Sequence, residues 1–200
     1  MVLLLGGCGG LDQAASAHGL ARDDLVSELA AQLAGSSTLT YAAEYRLPRG
    51  GRASVTQTQD PPRTSYHYPG GRLLVSDHAV TQCRGTAKPA CTTTPPPDGG
   101  VLPAVAYAGV QRTGMVAPAT VVALLDAAAL DTAVTVESRD TTIAGHHATC
   151  VDLSGIDDER SREFSTCVTS AGVLGSFTGT LDGRPVEMTM TEYSEKVPAA

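Results

Sequence analysis

The chain has no tryptophan and no asparagine, and only two of its 200 residues are lysine. Without asparagine there is no N-glycosylation acceptor. Positive charge is scarce: 14 Lys and Arg face 21 Asp and Glu, for a net charge of −7. No basic block is present, which argues against a nucleic-acid partner. No apolar run reaches the roughly 18 residues that a mature membrane-crossing helix needs. Signature motifs are missing as well. The sequence holds no GxSxG, SxxK, HExxH, P-loop or GxGxxG pattern. Isolated Ser, His and Asp residues are plentiful, but alone they mark no active site. The expectation is a protein that is not an enzyme and carries no cofactor.

What is present suits a globular body. At 42% hydrophobic and 18% charged residues, the chain is too apolar for a disordered one. Its length fits one large domain or at most two small ones. The 28 alanines, and Arg used in place of Lys, have the look of a high-GC bacterial genome.

The chain opens Met1-Val2-Leu3-Leu4-Leu5-Gly6-Gly7-Cys8. A short apolar run ending in small residues and a cysteine resembles a bacterial lipobox, with Cys8 as the lipid anchor. A secretory signal also has a positive n-region and a longer apolar stretch. Their absence ahead of Met1 reads as a start site placed too late. Residues 1–8 are then a signal remnant, and the small, polar residues 9–19 a flexible tether. Such a tether reaches about 18 Å as a coil and at most ~40 Å extended.

Four cysteines remain: Cys83, Cys91, Cys150 and Cys167. An even number in an exported chain reads as disulfides. Proximity favours Cys83–Cys91 with Cys150–Cys167, because each pair closes a short loop. No CxxC pair exists, and the spacings do not suit zinc. His146-His147 is no better a metal site, since neighbouring strand residues point to opposite faces. Asp157-Asp158-Glu159 lacks the spacing of a calcium loop. No metal is expected.

Periodicity supplies the elements. Leu25, Val26, Leu29, Ala30 and Leu33 form one helical stripe over residues 22–34, with Asp23 and Asp24 at the favourable N-terminus. The period then becomes two. Leu39, Tyr41, Ala43, Tyr45 and Leu47 alternate with more polar residues, the mark of a strand with one apolar face. Five further short strands follow up to Thr94. Their connections are too short for parallel crossovers, so they form an antiparallel meander. Residues 95–100, PPPDGG, interrupt it. Residues 101–115 read as a short helix or a flap. The helix from Pro118 to Leu130 is apolar nearly all round, which predicts burial. Five more strands cover 133–193, the last two joined at Asp182-Gly183.

This order of elements resembles the LolA-like superfamily of bacterial envelope proteins, with its LprG–LppX-type lipid-binding lipoproteins. The resemblance covers about residues 20–193. It rests on the N-terminal helix, on Tyr41-Ala42-Ala43-Glu44-Tyr45, and on Pro61-Pro62-Arg63 before a tyrosine strand. It continues through the central helices to the closing hairpin, from Gly172-Val173-Leu174-Gly175-Ser176-Phe177 to Glu187-Met188-Thr189-Met190-Thr191. It implies an α+β fold with a strongly curved antiparallel sheet. That sheet is a half-barrel of about eleven strands, its concave face covered by the N-terminal and central helices. Residues 20–195 would be one such domain. The short leader and the two cysteine pairs depart from the family pattern and leave the ligand open.

The family's concave side holds an apolar cavity. Here the candidate lining is Tyr41, Tyr45, Tyr66, Leu73, Val75, Leu124, Leu125, Phe177, Met188 and Met190. Gly175 and Gly179 leave room on that face, and the methionines adapt to irregular ligands. Alternation alone does not separate a cavity lining from a packed core. The leading expectation is a lipid-anchored monomer on the extracytoplasmic face of the cell membrane. It binds or carries a lipid or acylated ligand without catalysis. The rivals are an envelope sensor or regulatory module that binds a membrane protein partner, and a surface domain with a solid core.

Overall fold

The computed structural model describes residues 24–97, 102, 104–158 and 160–197. The lipobox with Cys8, the 9–19 tether and residues 98–100 of the proline–glycine stretch lie outside them. Helix α1 covers residues 24–35, and its apolar stripe of Val26, Leu29, Ala30 and Leu33 is buried. The Gln32 side-chain amide ties it to the sheet, donating to the Thr169 carbonyl at 3.2 Å.

Two antiparallel meanders follow. The first is β1 (Tyr41–Arg46), β2 (Arg52–Gln59), β3 (Pro62–Tyr68), β4 (Gly71–Ser76), β5 (Val80–Arg84) and β6 (Ala90–Thr94). The second is β7 (Thr135–Ile143), β8 (His146–Ser154), β9 (Glu163–Thr169), β10 (Leu174–Leu181) and β11 (Arg184–Ser194). Between them lie a 3₁₀ turn (Ala104–Tyr107), α2 (Ala108–Gln111) and α3 (Pro118–Leu130). All eleven strands form one sheet in the order β6-β5-β4-β3-β2-β1-β11-β10-β9-β8-β7. The two meanders meet where β1 pairs with β11.

This topology places the helices. Strands β6 and β7 follow each other in sequence yet stand at opposite edges of the sheet. The chain between them must therefore cross a whole face. It passes over β3, where Tyr107 packs edge-on against Tyr66 with ring centroids 5.9 Å apart. It passes over β11, where the Val116 amide donates to the Met188 sulfur at 3.2 Å. The sheet curls beneath this roof. Bulges between Glu44 and Tyr45, and between Leu174 and Ser176, bend the strands. The curl brings His146 at the β7–β8 hairpin within 4.9 Å of the Tyr193 ring on β11, although β9 and β10 lie between. The half-barrel is open, with β6 and β7 as its unpaired edges.

Three details differ from the sequence expectation. Helix α3 is buried on one face only, through Pro118, Val121, Leu124, Leu125 and Ala128. Its outer side exposes Ala119, Ala123, Asp126 and Leu130, the last at 86%. Alanine is small enough to be tolerated on either side, so composition did not reveal which face was inner. Secondly, Gly175 and Gly179 leave no open space. A Cβ on Gly179 would lie 2.8 Å from Phe164 Cβ, and one on Gly175 3.0 Å from Ile143 Cδ1. Phe164 folds over its glycine neighbour and stacks on Phe177, with centroids 5.6 Å apart. Thirdly, of the two readings of residues 101–115 the short helix forms, over 104–111, and no open flap is seen among its described residues: Tyr107, Val110 and Met115 are buried.

Cys83–Cys91 joins β5 to β6, and Cys150–Cys167 joins β8 to β9. Each links directly opposed residues, with Cα atoms 4.0 and 3.9 Å apart. Two disulfides suit an oxidising compartment.

Candidate functional site

Nine of the ten candidate lining residues lie in one closed layer. Tyr41, Tyr45, Tyr66, Leu73, Leu124, Leu125, Phe177, Met188 and Met190 are each at most 6% exposed. The layer starts from cross-strand register. Ala43, Val55, Tyr66 and Leu73 stand opposite one another on β1 to β4 and form one inward row. Tyr45 adds a long-range tie, its hydroxyl donating to the Leu174 carbonyl at 2.9 Å. Burial pushes the Tyr45 and Tyr66 phenols well above the ordinary tyrosine range, and their tyrosine neighbours add to the shift. Tyr41 is raised in the same way, first by burial and then by Tyr193. These groups are neutral phenols that pack in the core, and Tyr45 also hydrogen-bonds there.

The tenth residue, Val75, is half-buried and lines a groove of about 390 Å³ at one end of the half-barrel. That volume is within the range of small-molecule sites. Four parts of the chain build it. The 36–38 turn and the β2 end supply Ser37, Gln57 and Gln59. The β2–β3 hairpin supplies Pro62 and Arg63, and the β4–β5 hairpin supplies Val75, Asp77 and Val80. Pro96, Pro97 and Leu102, after the edge strand β6, form the remaining wall.

The polar groups inside the groove are mostly satisfied by the protein. Gln57 donates its side-chain amide to the Ser36 and Leu39 carbonyls and accepts from the Thr64 hydroxyl at 3.1 Å. Gln59 donates to Ser37 and Leu39 carbonyls at 2.9 and 2.8 Å. These bonds hold the 36–39 segment against β2. What remains for a ligand is a mixed wall, in which Val75, Val80, the prolines and Leu102 are apolar and Ser37, Thr58, Thr64 and Ser76 lie among them. Arg63 and Asp77 carry opposite charges at the exposed rim. Among the described residues, no cluster of three or more His, Cys, Asp or Glu could hold a metal ion. His146 packs on Tyr193, while His147 lies 3.8 Å from Asp140.

Sequence reading missed most of the groove. It took Pro61-Pro62-Arg63 as part of the family resemblance and Pro95-Pro96-Pro97 as an interruption of the sheet, and joined neither to a site. Their shared wall arises because β2–β3 and β4–β5 turn at the same end of the sheet.

No family model matches the sequence, and no curated protein does. Solved structures match in fold. An uncharacterized conserved protein from Thermus thermophilus aligns over 86% of this chain and 88% of its own, with a TM-score of 0.50 and 8% identity. MucB aligns over 88% of this chain with a TM-score of 0.51 and 12% identity. This chain spans 60% of MucB's length. MucB in complex with MucA(peri) aligns at a TM-score of 0.46 and 10% identity, over 87% of this chain and 57% of that one. At these identities the likeness is one of fold alone.

Proposed function

We propose that this chain is a non-catalytic binding module of the extracytoplasmic envelope, tethered through Cys8, that holds a lipid or an acylated ligand. The groove at the open end of the half-barrel carries the reading. It offers the apolar side chains of Val75, Val80, the prolines and Leu102 with Arg63 and Asp77 at its rim, a pattern that suits an amphiphile, and Val75 packs against the buried layer that holds the tyrosines and methionines. An acyl chain enters at Val75 and Val80 and extends inward as the α2–α3 roof shifts. The driving force is apolar burial, about 0.8 kcal/mol per CH₂. The neutral, buried tyrosines support binding over acid–base chemistry.

Displacement of a fluorescent fatty acid tests this. The wild type is expected to bind the probe, and Val75→Arg to weaken binding at least tenfold at unchanged melting temperature. Failure of the wild type to bind any acyl chain contradicts the proposal. A second reading, a module that docks on a membrane protein, is favoured by the exposed Leu130 at the end of α3, 86% open to solvent. Specific crosslinking from a position-130 probe to one membrane protein, lost in Leu130→Glu, supports that reading. No crosslink from that position tells against it.

A further inference from the structure

The two disulfides share a topology but not their surroundings. Cys150 and Cys167 sit in the core, 0% and 2% exposed. The nearest cross-strand cation, Arg139 opposite Cys150, has its Nε 3.4 Å from the Asp152 carboxylate. Cys83 and Cys91 stand at the sheet edge. On the outer face, His67, Arg72, Cys83 and Cys91 are directly opposed on successive strands β3 to β6. The Arg72 Nε donates to the Cys83 sulfur at 3.4 Å. Among the described residues, no carboxylate lies within ion-pair distance of Arg72. A depression of about 230 Å³ opens there, lined by His67, Arg72, Cys83, Thr86 and Pro89. Cys83 itself is 1% exposed, whereas Cys91 lies on a strand whose five residues are all exposed. Among the described strands, β6 hydrogen-bonds only to β5.

We propose that Cys83–Cys91 is a thiol-exchange site for a dithiol reductant, and that Cys150–Cys167 is a permanent staple. The reductant's thiolate attacks the accessible Cys91 Sγ. A new S–S bond forms to Cys91 as the Cys83–Cys91 bond breaks. The electron pair leaves on Cys83 Sγ, where the Arg72 guanidinium stabilises the thiolate; a better leaving group departs faster. The reductant's second thiol then attacks the mixed disulfide and releases Cys91. The dithiol is oxidised by two electrons to its own disulfide, and its two protons end on Cys83 and Cys91. Strand β6 is then held by its β5 ladder alone. Pro96 and Pro97, just beyond its end, lose a fixed anchor as a wall of the groove. The exchange site does not depend on what the groove binds.

The test is graded reduction of the folded protein with dithiothreitol, trapping of thiols by iodoacetamide, and mapping by mass spectrometry. Cys83 and Cys91 are expected to be alkylated while Cys150 and Cys167 stay unlabelled until denaturant is added. Arg72→Gln is expected to slow the opening about threefold, and Arg72→Lys to restore most of the rate. On the wild type, a monothiol such as glutathione is expected to be trapped on Cys91. Simultaneous opening of both disulfides, a glutathione adduct on Cys83, or an unchanged rate in a folded Arg72→Gln variant overturns the proposal. If Arg72→Gln does not fold, the position of the glutathione adduct decides alone.

Discussion

Tyr45 is fully buried, and its hydroxyl bonds a carbonyl 129 residues away in sequence. Replacing it with Phe keeps the ring but strands the Leu174 carbonyl, which costs about 1–2 kcal/mol. Thermal unfolding of Tyr45→Phe should show that loss. The same burial gives the protein an alkaline limit. Folding raises the pKa of Tyr41, Tyr45 and Tyr66 above their ordinary value of 10.0, so the unfolded chain ionises first. Their contribution is complete below pH 10 and is lost progressively above it. The melting temperature should hold steady up to that point and then fall steeply. Gly179 is a second sensitive position. A Cβ there meets Phe164 Cβ at 2.8 Å and its Cα at 3.2 Å, and the latter is backbone that cannot turn aside. Gly179→Ala is expected to destabilise by about 1–3 kcal/mol.

The strands were legible because alternation has a physical cause. Tyr41, Ala43 and Tyr45 face the core, while Glu44 and Arg46 face water. Helix α3 was less legible. In PATVVALLDAAAL the single charged residue, Asp126, is the main mark of the outer side, and the alanines and Leu130 around it blur that mark. The exposed side makes a clear prediction. Leu130→Ser should change stability by no more than about 0.5 kcal/mol, because the side chain is already in water. The disulfide-linked strands differ in what they stabilise. Cys150–Cys167 closes a separation of 17 residues inside the core. Removing it as a Cys150→Ala/Cys167→Ala pair should cost about 2–5 kcal/mol in chemical denaturation.

For the whole molecule, the pairing of β1 with β11 decides the architecture. It sends β6 and β7 to opposite edges, and so forces the intervening helices across the concave face. No local pattern encodes that pairing, which is why the resemblance to a known half-barrel was needed to anticipate it. The groove was hidden for a related reason. The 57–63 hairpin, Val80 and Pro97 belong to separate segments and meet only because two hairpins turn at one end of the sheet. Nine of the ten candidate lining residues belong to the buried layer beneath the groove. Whether that layer yields to a ligand is the central functional claim. The most direct measurement is native mass spectrometry of the chain purified from a bacterial membrane, followed by solvent extraction and lipid analysis. The account predicts a bound amphiphile at about one per chain, and its loss in Val75→Arg. A wild-type protein that runs at its bare mass and yields no lipid contradicts it.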